Sequence, residues 1–282
     1  MRVALVIAGS ILFGTLLVLA VANVYWQAGT KGLLRQLTST GSSAPGAVAL
    51  DSVAALPAPV QRYLRTVLRE GQPRVQGVRL RQTGEFKRGT RDDAWRPFTA
   101  TQVVATTRPG FVWEARIRMA PLLTVRVRDA YVAGRPIMRG AILGVVPLVN
   151  APESRELAEG ELLRYLAEAP WYPTVLLPGN GVTWSPMDDT HALATLRYGD
   201  LAVSLEFEFS PTGEVAGVYT PRRCRDENGR YVLRPWGGRF RRYEERNGMR
   251  VPLQAEVYWR IDDRNQLYWR GELMSVKVGF SS

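Results

Sequence analysis

The sequence predicts a mainly β, α+β fold: an antiparallel sheet packed against two or so helices, behind an N-terminal transmembrane helix. Three observations carry this expectation. Apolar residues recur with period two from about residue 75 to the C-terminus, in strand-length runs separated by short turns. One long stretch, residues 156–184 (ELAEGELLRYLAEAPWYPTVLLPGNGVTW), breaks that pattern with helical spacing. Residues 3–26 carry no charge at all.

That last run, VALVIAGSILFGTLLVLAVANVYW, exceeds the roughly 20 apolar residues a spanning helix needs. Arg2 ahead of it favours an N-terminus that stays inside, and Tyr25 and Trp26 suit the far interface. Residues 1–30 are therefore expected to be a single-pass anchor in a bacterial inner (cytoplasmic) membrane, with everything after them extracytoplasmic, on the periplasmic side. The competing reading is a signal peptide cut near Ala22, with Ala20 and Ala22 as the small residues and a secreted product. The run is longer than the roughly 7 to 15 residues of a signal core, which favours the anchor. No lipobox cysteine indicates acyl anchoring. Residues 31–46, with TSTGSSAPG at their end, read as a flexible linker, and residues 47–282 as one antiparallel β domain.

Within the domain a first helix is expected near 57–70. Pro59 suits its start, Gly71 its end, and Val60, Tyr63, Leu64, Val67 and Leu68 its buried face, opposite Arg62, Arg65 and Arg69. Strands follow: Val78 and Leu80 alternate with Arg79 and Arg81. Phe111, Trp113, Ala115, Ile117 and Met119 alternate with Glu114, Arg116 and Arg118, and Leu123, Val125 and Val127 with Arg126 and Arg128. The second helix is expected at 153–169. Ala158, Leu162, Tyr165, Leu166 and Ala169 share one stripe, so one side is expected to be buried; Glu153 and Glu156 favour its N-terminal end, and Pro170 and Pro173 stop it. Beyond it, Leu201, Val203, Leu205, Phe207 and Phe209 mark another strand. Asn228 with Gly229, and Asn247 with Gly248, mark hairpins, and the last hairpin is rich in Tyr258, Trp259, Tyr268 and Trp269.

Glu161, Arg164 and Glu168 line one edge of the second helix. They read either as a solvated or half-buried ion-pair row or as the polar rim of a cavity with Trp171, Tyr172 and Trp184 as walls. The net charge of +11 is almost wholly arginine, since Lys31, Lys87 and Lys277 are the only lysines. Arginines fall on the outer faces of the early strands and again at Arg222, Arg223 and Arg225 and at Arg239, Arg241 and Arg242. Simple solvation is the default for such a face, contact with anionic head groups the alternative; export argues against nucleic acid.

Catalytic constellations are thin. One cysteine (Cys224) and one histidine (His191) exclude internal disulfides and multi-Cys or multi-His metal sites, and no cofactor or metal is called for. Arg223 and Arg225 beside Cys224 would lower its pKa. His191 follows Asp188, Asp189 and Thr190 without a nucleophile elbow. Glu161 and Glu168 are separated by about 10.5 Å of helical rise, beyond the roughly 5 to 9.5 Å of glycosidase pairs. Gly179, Asn180 and Gly181 form a turn, not a phosphate loop. No catalytic residue is assigned.

The segments LPAPVQRYL, WEARI, DAYVAGR, GELLRYLAEAPWYPTVLL, VTWSPMDD, RPWGGRF and VPLQAEVYW together resemble a bacterial, membrane-anchored, exported family catalogued only as a domain of unknown function. The turn at Gly134, Arg135 and Pro136 carries fewer glycines than that family's. The resemblance implies a lipoprotein-carrier (LolA-like) half-barrel, a curved antiparallel sheet around helices. From that shape follows the expectation of a cavity for a lipid or other hydrophobic ligand, lined by Trp113, Trp171, Tyr172, Trp184, Phe207 and Trp236, with Glu161, Arg164 and Glu168 as its polar rim. A non-enzymatic scaffold of an envelope complex is the alternative. An exported hydrolase using Glu161, Glu168, Asp188 and Asp189 is the third.

Overall fold

The computed structural model describes residues 1–39, 46–87 and 94–279. Helix α1 (Arg2–Thr38) is continuous, followed by α2 (Ala58–Val67). Six strands come next: β1 (Gly77–Phe86), β2 (Arg96–Ala105), β3 (Gly110–Ala120), β4 (Leu123–Val132), β5 (Arg135–Ile142) and β6 (Val146–Asn150). Helix α3 (Arg155–Ala167) and two 3₁₀ turns (Ala169–Trp171, Pro173–Leu176) lead into seven more. These are β7 (Val182–Pro186), β8 (His191–Tyr198), β9 (Leu201–Phe209), β10 (Val215–Glu227), β11 (Arg230–Arg246), β12 (Met249–Ile261) and β13 (Arg264–Val278). Of the linker expected over 31–46, residues 31–38 belong to α1, and 40–45 lie outside the described residues.

All the strands join one open antiparallel sheet in the order β6-β5-β4-β3-β2-β1-β13-β12-β11-β10-β9-β8-β7. The chain thus pairs β1 with β13 at the middle of the sheet and leaves β6 and β7 as its two edges. These edges are consecutive in sequence, and what joins them is α3 with its 3₁₀ turns. Helix α3 touches β3, β4 and β5 on one side and β9 and β10 on the other. In a flat sheet β4 and β10 would lie about 34 Å apart at 4.8 Å per strand, far wider than the roughly 10–12 Å of one helix. The sheet therefore curves around α3.

Turn chemistry fits this meander. Asn228 and Gly229, Asn247 and Gly248, and Ala133 and Gly134 all have positive φ, the backbone of two-residue hairpins whose twist matches the strands they join. Ser154 caps α3 by accepting from the Leu157 N–H at 3.1 Å. Helix α2 buries Val60, Tyr63, Leu64 and Val67, with Tyr63 against Phe209.

Two expectations are corrected by this architecture. Helix α3 has no single buried side: Gly160, Glu161, Leu163 and Ala167 are buried along with Ala158, Leu162, Tyr165 and Leu166, because the sheet embraces it from both directions. The outer face of β2–β4 is not simply solvated. Leu33, Leu34 and Leu37 of α1 pack there on Val103, Ala105, Val112, Ala130 and Val132. Both faces of these strands are covered at that level, which is why apolar residues stand at both parities in their sequences.

Candidate functional site

Strand β4 places Arg128 and Asp129, adjacent in sequence, on opposite faces of the sheet, as its pleat requires. Both are buried. Each face then builds a polar cluster against a different helix.

On the outer face Arg128 donates from Nε to Thr30 Oγ1 at 3.1 Å and from Nη2 to the Trp26 carbonyl at 2.5 Å. Its guanidinium lies 4.5 Å from the Trp26 ring centroid. Glu114, its cross-strand partner on β3, accepts from Trp26 Nε1 at 3.1 Å and from Thr30 Oγ1 at 2.6 Å. Gly29 permits the approach, since a Cβ there would stand 3.0 Å from Arg128 Nη1. The helix that leaves the apolar segment is thereby clamped to the sheet.

On the inner face Arg164 of α3 pairs with Asp129 and with Glu168, the latter at 2.8 Å from Nε. Its guanidinium covers the Phe111 and Trp113 rings at 4.8 and 5.1 Å. Glu168 also accepts from Gln102, Gln102 from Gln82, and Gln82 from Trp113 Nε1, so the polar chain runs inward along the sheet. Burial alone would lower the Arg164 guanidinium, but Glu168, Asp129 and Glu161 outweigh it and hold it above its ordinary value. Glu161 is fully buried one turn away, and burial first, then the Asp129 charge, raises its carboxyl well above the usual range. Glu161 Oε2 and Asp129 Oδ1 are the two buried oxygens of this cluster without a hydrogen-bond donor. In the row Glu161, Arg164 and Glu168, Glu161 is buried and the Arg164–Glu168 pair half-buried, which is the half-buried ion-pair alternative and not a solvated edge.

The predicted aromatic residues lie in the layer between sheet and helices, packed against protein. Trp113 and Trp171 are linked through Phe98 and Trp269, with ring centroids 5.7–6.5 Å apart. Trp171 donates to the Pro252 carbonyl and Tyr172 to the Tyr165 carbonyl. Trp184 packs on Phe207 at 5.2 Å, and Trp236 donates to the Tyr268 hydroxyl. Of the six, only Trp184 is partly exposed.

Elsewhere, Asp188 and Asp189 are exposed between β7 and β8, while Glu161 is buried within α3 and Glu168 half-buried at its end, so these four acids share no cleft. The Thr190 backbone N–H, then the His191 ring, hold the Asp188 carboxyl well below its usual range, which makes it a turn brace for the start of β8. Cys224 departs from expectation: burial and the acids Glu159 and Glu156 raise its thiol despite Arg223 and Arg222. Its other neighbour in the chain, Arg225, stacks 5.5 Å from the Trp259 ring.

A feature the sequence reading missed lies between α1 and the β5–β6 end of the sheet. Ile11, Gly14, Thr15, Val18 and Leu19, one stripe of α1, face Ile142, Leu143, Val145 and Val146 across an open groove of about 440 Å³. Its walls are almost wholly apolar. A Cβ at Gly14 would meet nothing within 4 Å. The only available signal was the i, i+3, i+4, i+7, i+8 spacing of those α1 residues, hidden in a segment that is apolar all round.

The family model for a family of unknown function (DUF6920) matches residues 54–277. The chain belongs to that family, as its motifs led us to expect. No curated protein matches it. Among solved structures it is similar to a LolA superfamily protein from Nitrosomonas europaea, with 9% identity, 81% of this chain and 96% of that chain covered, and a TM-score of 0.41. It is also similar to a beta-barrel-like protein of a domain of unknown function (DUF1849) from Brucella abortus, with 9% identity, 73% and 99% covered, and a TM-score of 0.22.

Proposed function

We propose that this chain is a single-pass protein of the bacterial inner membrane whose β domain stands on the periplasmic side and binds a lipid or similar hydrophobic molecule. Helix α1 is long and apolar enough to span a membrane. The observation that carries the reading is the apolar groove between that helix and the sheet. Its volume lies within the roughly 300–1,000 Å³ usual for small-molecule sites, and its position beside an uncharged helix suits an acyl chain entering from the bilayer. Because Trp26, Thr30 and Arg128 clamp α1 to β4, the groove keeps its shape instead of opening as a loose tether swings.

The test is native mass spectrometry of the full chain released from nanodiscs, with organic extraction of what remains bound. Gly14→Phe should abolish a retained lipid, while Trp184→Glu should leave it. The reverse result would move the ligand to the aromatic layer of Trp113, Trp171, Tyr172, Trp184, Phe207 and Trp236. A chain that never retains lipid would turn the reading to an interaction scaffold.

A further inference from the structure

Beside the groove, one corner of the sheet is apolar where a soluble protein would be polar. The β3–β4 turn presents Met119, Leu122 and Leu123, and the β5–β6 turn presents Val145, Val146 and Leu148, all exposed; Leu122 is 97% exposed. The two turns are neighbours, since Leu143 N–H donates to the Thr124 carbonyl at 2.8 Å. Each also holds a leucine at positive φ, Leu122 at 62° and Leu143 at 52°. That backbone region disfavours a bulky side chain. The hairpins built at Asn228 and Gly229, Asn247 and Gly248, and Asp262 and Asp263 use polar residues or glycine for the same geometry. Water gives no reason for leucine at such tips.

The corner also has a definite height relative to α1. Trp26 is level with Glu114 and Arg128. From Trp26 back to Val18 is about 12 Å at 1.5 Å per helical residue, and from Arg128 to Leu123 is about 17 Å at 3.3 Å per strand residue. Both lead the same way, because Val18 meets Val145 and Val146 across the groove. One leaflet of hydrocarbon is about 15 Å deep. Between these levels the outer face carries Arg116 directly opposite Arg126, with Arg118 nearer the tip. No carboxylate pairs with any of the three among the described residues, and Arg126 Nη1 is buried without a partner. Two like charges facing each other across a ladder repel unless an anion joins them.

We propose that the β3–β4 and β5–β6 turns are a second membrane contact, entering the outer leaflet of the bilayer that α1 spans, with Arg116, Arg118 and Arg126 at the level of anionic phosphate head groups. This rests on the membrane-anchor reading above and adds that the β domain itself is embedded at one corner.

The experiment uses the full chain with Cys224→Ser and single cysteines L122C, V146C, V18C and T107C, each carrying a small fluorophore; Thr107 is exposed in the β2–β3 turn, at the opposite end of β3 from Leu122. The chains are reconstituted in phosphatidylcholine–phosphatidylglycerol vesicles containing acyl-chain nitroxide lipid. We expect L122C and V146C to lose most of their fluorescence, as V18C does, and T107C to keep it. Quenching at V18C with none at L122C and V146C would overturn the proposal and leave the anchor standing. No quenching at V18C would overturn the anchor itself. Labels at L122C and V146C that are shielded from water yet unquenched would place a second copy of the chain on this corner and also overturn it.

Discussion

Arg128 and Asp129 sit side by side on β4, equally buried, yet the clusters they anchor differ in kind. The outer one balances a single guanidinium against a single carboxylate, Glu114, with Thr30 and Trp26 bridging them. The inner one sets three carboxyl groups, Asp129, Glu161 and Glu168, around Arg164. An excess of acid raises the carboxyl that is most deeply buried, here Glu161, through its burial and then the charge of Asp129. The two faces of one strand are therefore held differently: α1 by a guanidinium and a carboxylate joined through Thr30 and Trp26, α3 by a cluster in which burial and the Asp129 charge raise the Glu161 carboxyl.

The largest effect that would break this comparison is expected from Arg164→Ala. It removes the guanidinium shared by Asp129 and Glu168 and leaves buried charge uncompensated, at a cost of about 3–5 kcal/mol. Urea unfolding followed by tryptophan fluorescence would measure it. Arg128→Ala should cost less, about 1–3 kcal/mol, because Glu114 keeps its donors from Trp26 and Thr30. Its signature is local: amide hydrogen exchange should rise over residues 26–38 of α1 and remain unchanged in α3. Equal loss of protection in both helices would show that the two clusters are not separable.

The smallest and most diagnostic effect is expected from Glu161→Gln. Burial raises the folded Glu161 carboxyl above the 4.5 of the free group. The native chain therefore holds more protons than the unfolded chain as pH rises above that value, and stability falls with pH across this window. The E161Q chain lacks that titration, so its stability should vary less steeply with pH there and match the parent within about 1 kcal/mol at acidic pH. A parent and variant with parallel pH profiles would mean that Glu161 is ionised in the folded protein.

Much of this architecture was legible in the chain. Period-two runs such as Leu201 to Phe209 and the Asn-Gly turns specify strands and hairpins locally, and α2 appears where its stripe placed it. The burial of Glu161 was not legible, because a carboxylate on a helix edge looks the same in sequence whether water or a second wall of sheet lies beyond it. The covered outer face left a trace that alternation alone does not decode: Val103 beside Val104, Phe111 beside Val112, and Tyr131 beside Val132 put apolar residues on both parities.

By itself the sequence determined a mostly β domain of antiparallel hairpins, interrupted once by α3 and preceded by a helix long and apolar enough to span a membrane, because periodicity, turn residues and uncharged length are local properties. Tertiary structure alone decided that β1 pairs with β13, so that the two edges fall on either side of α3. It also decided that α1 continues onto the sheet to meet Glu114 and Arg128. These are contacts between residues far apart in the chain, selected by which buried groups find partners, and no local pattern encodes them.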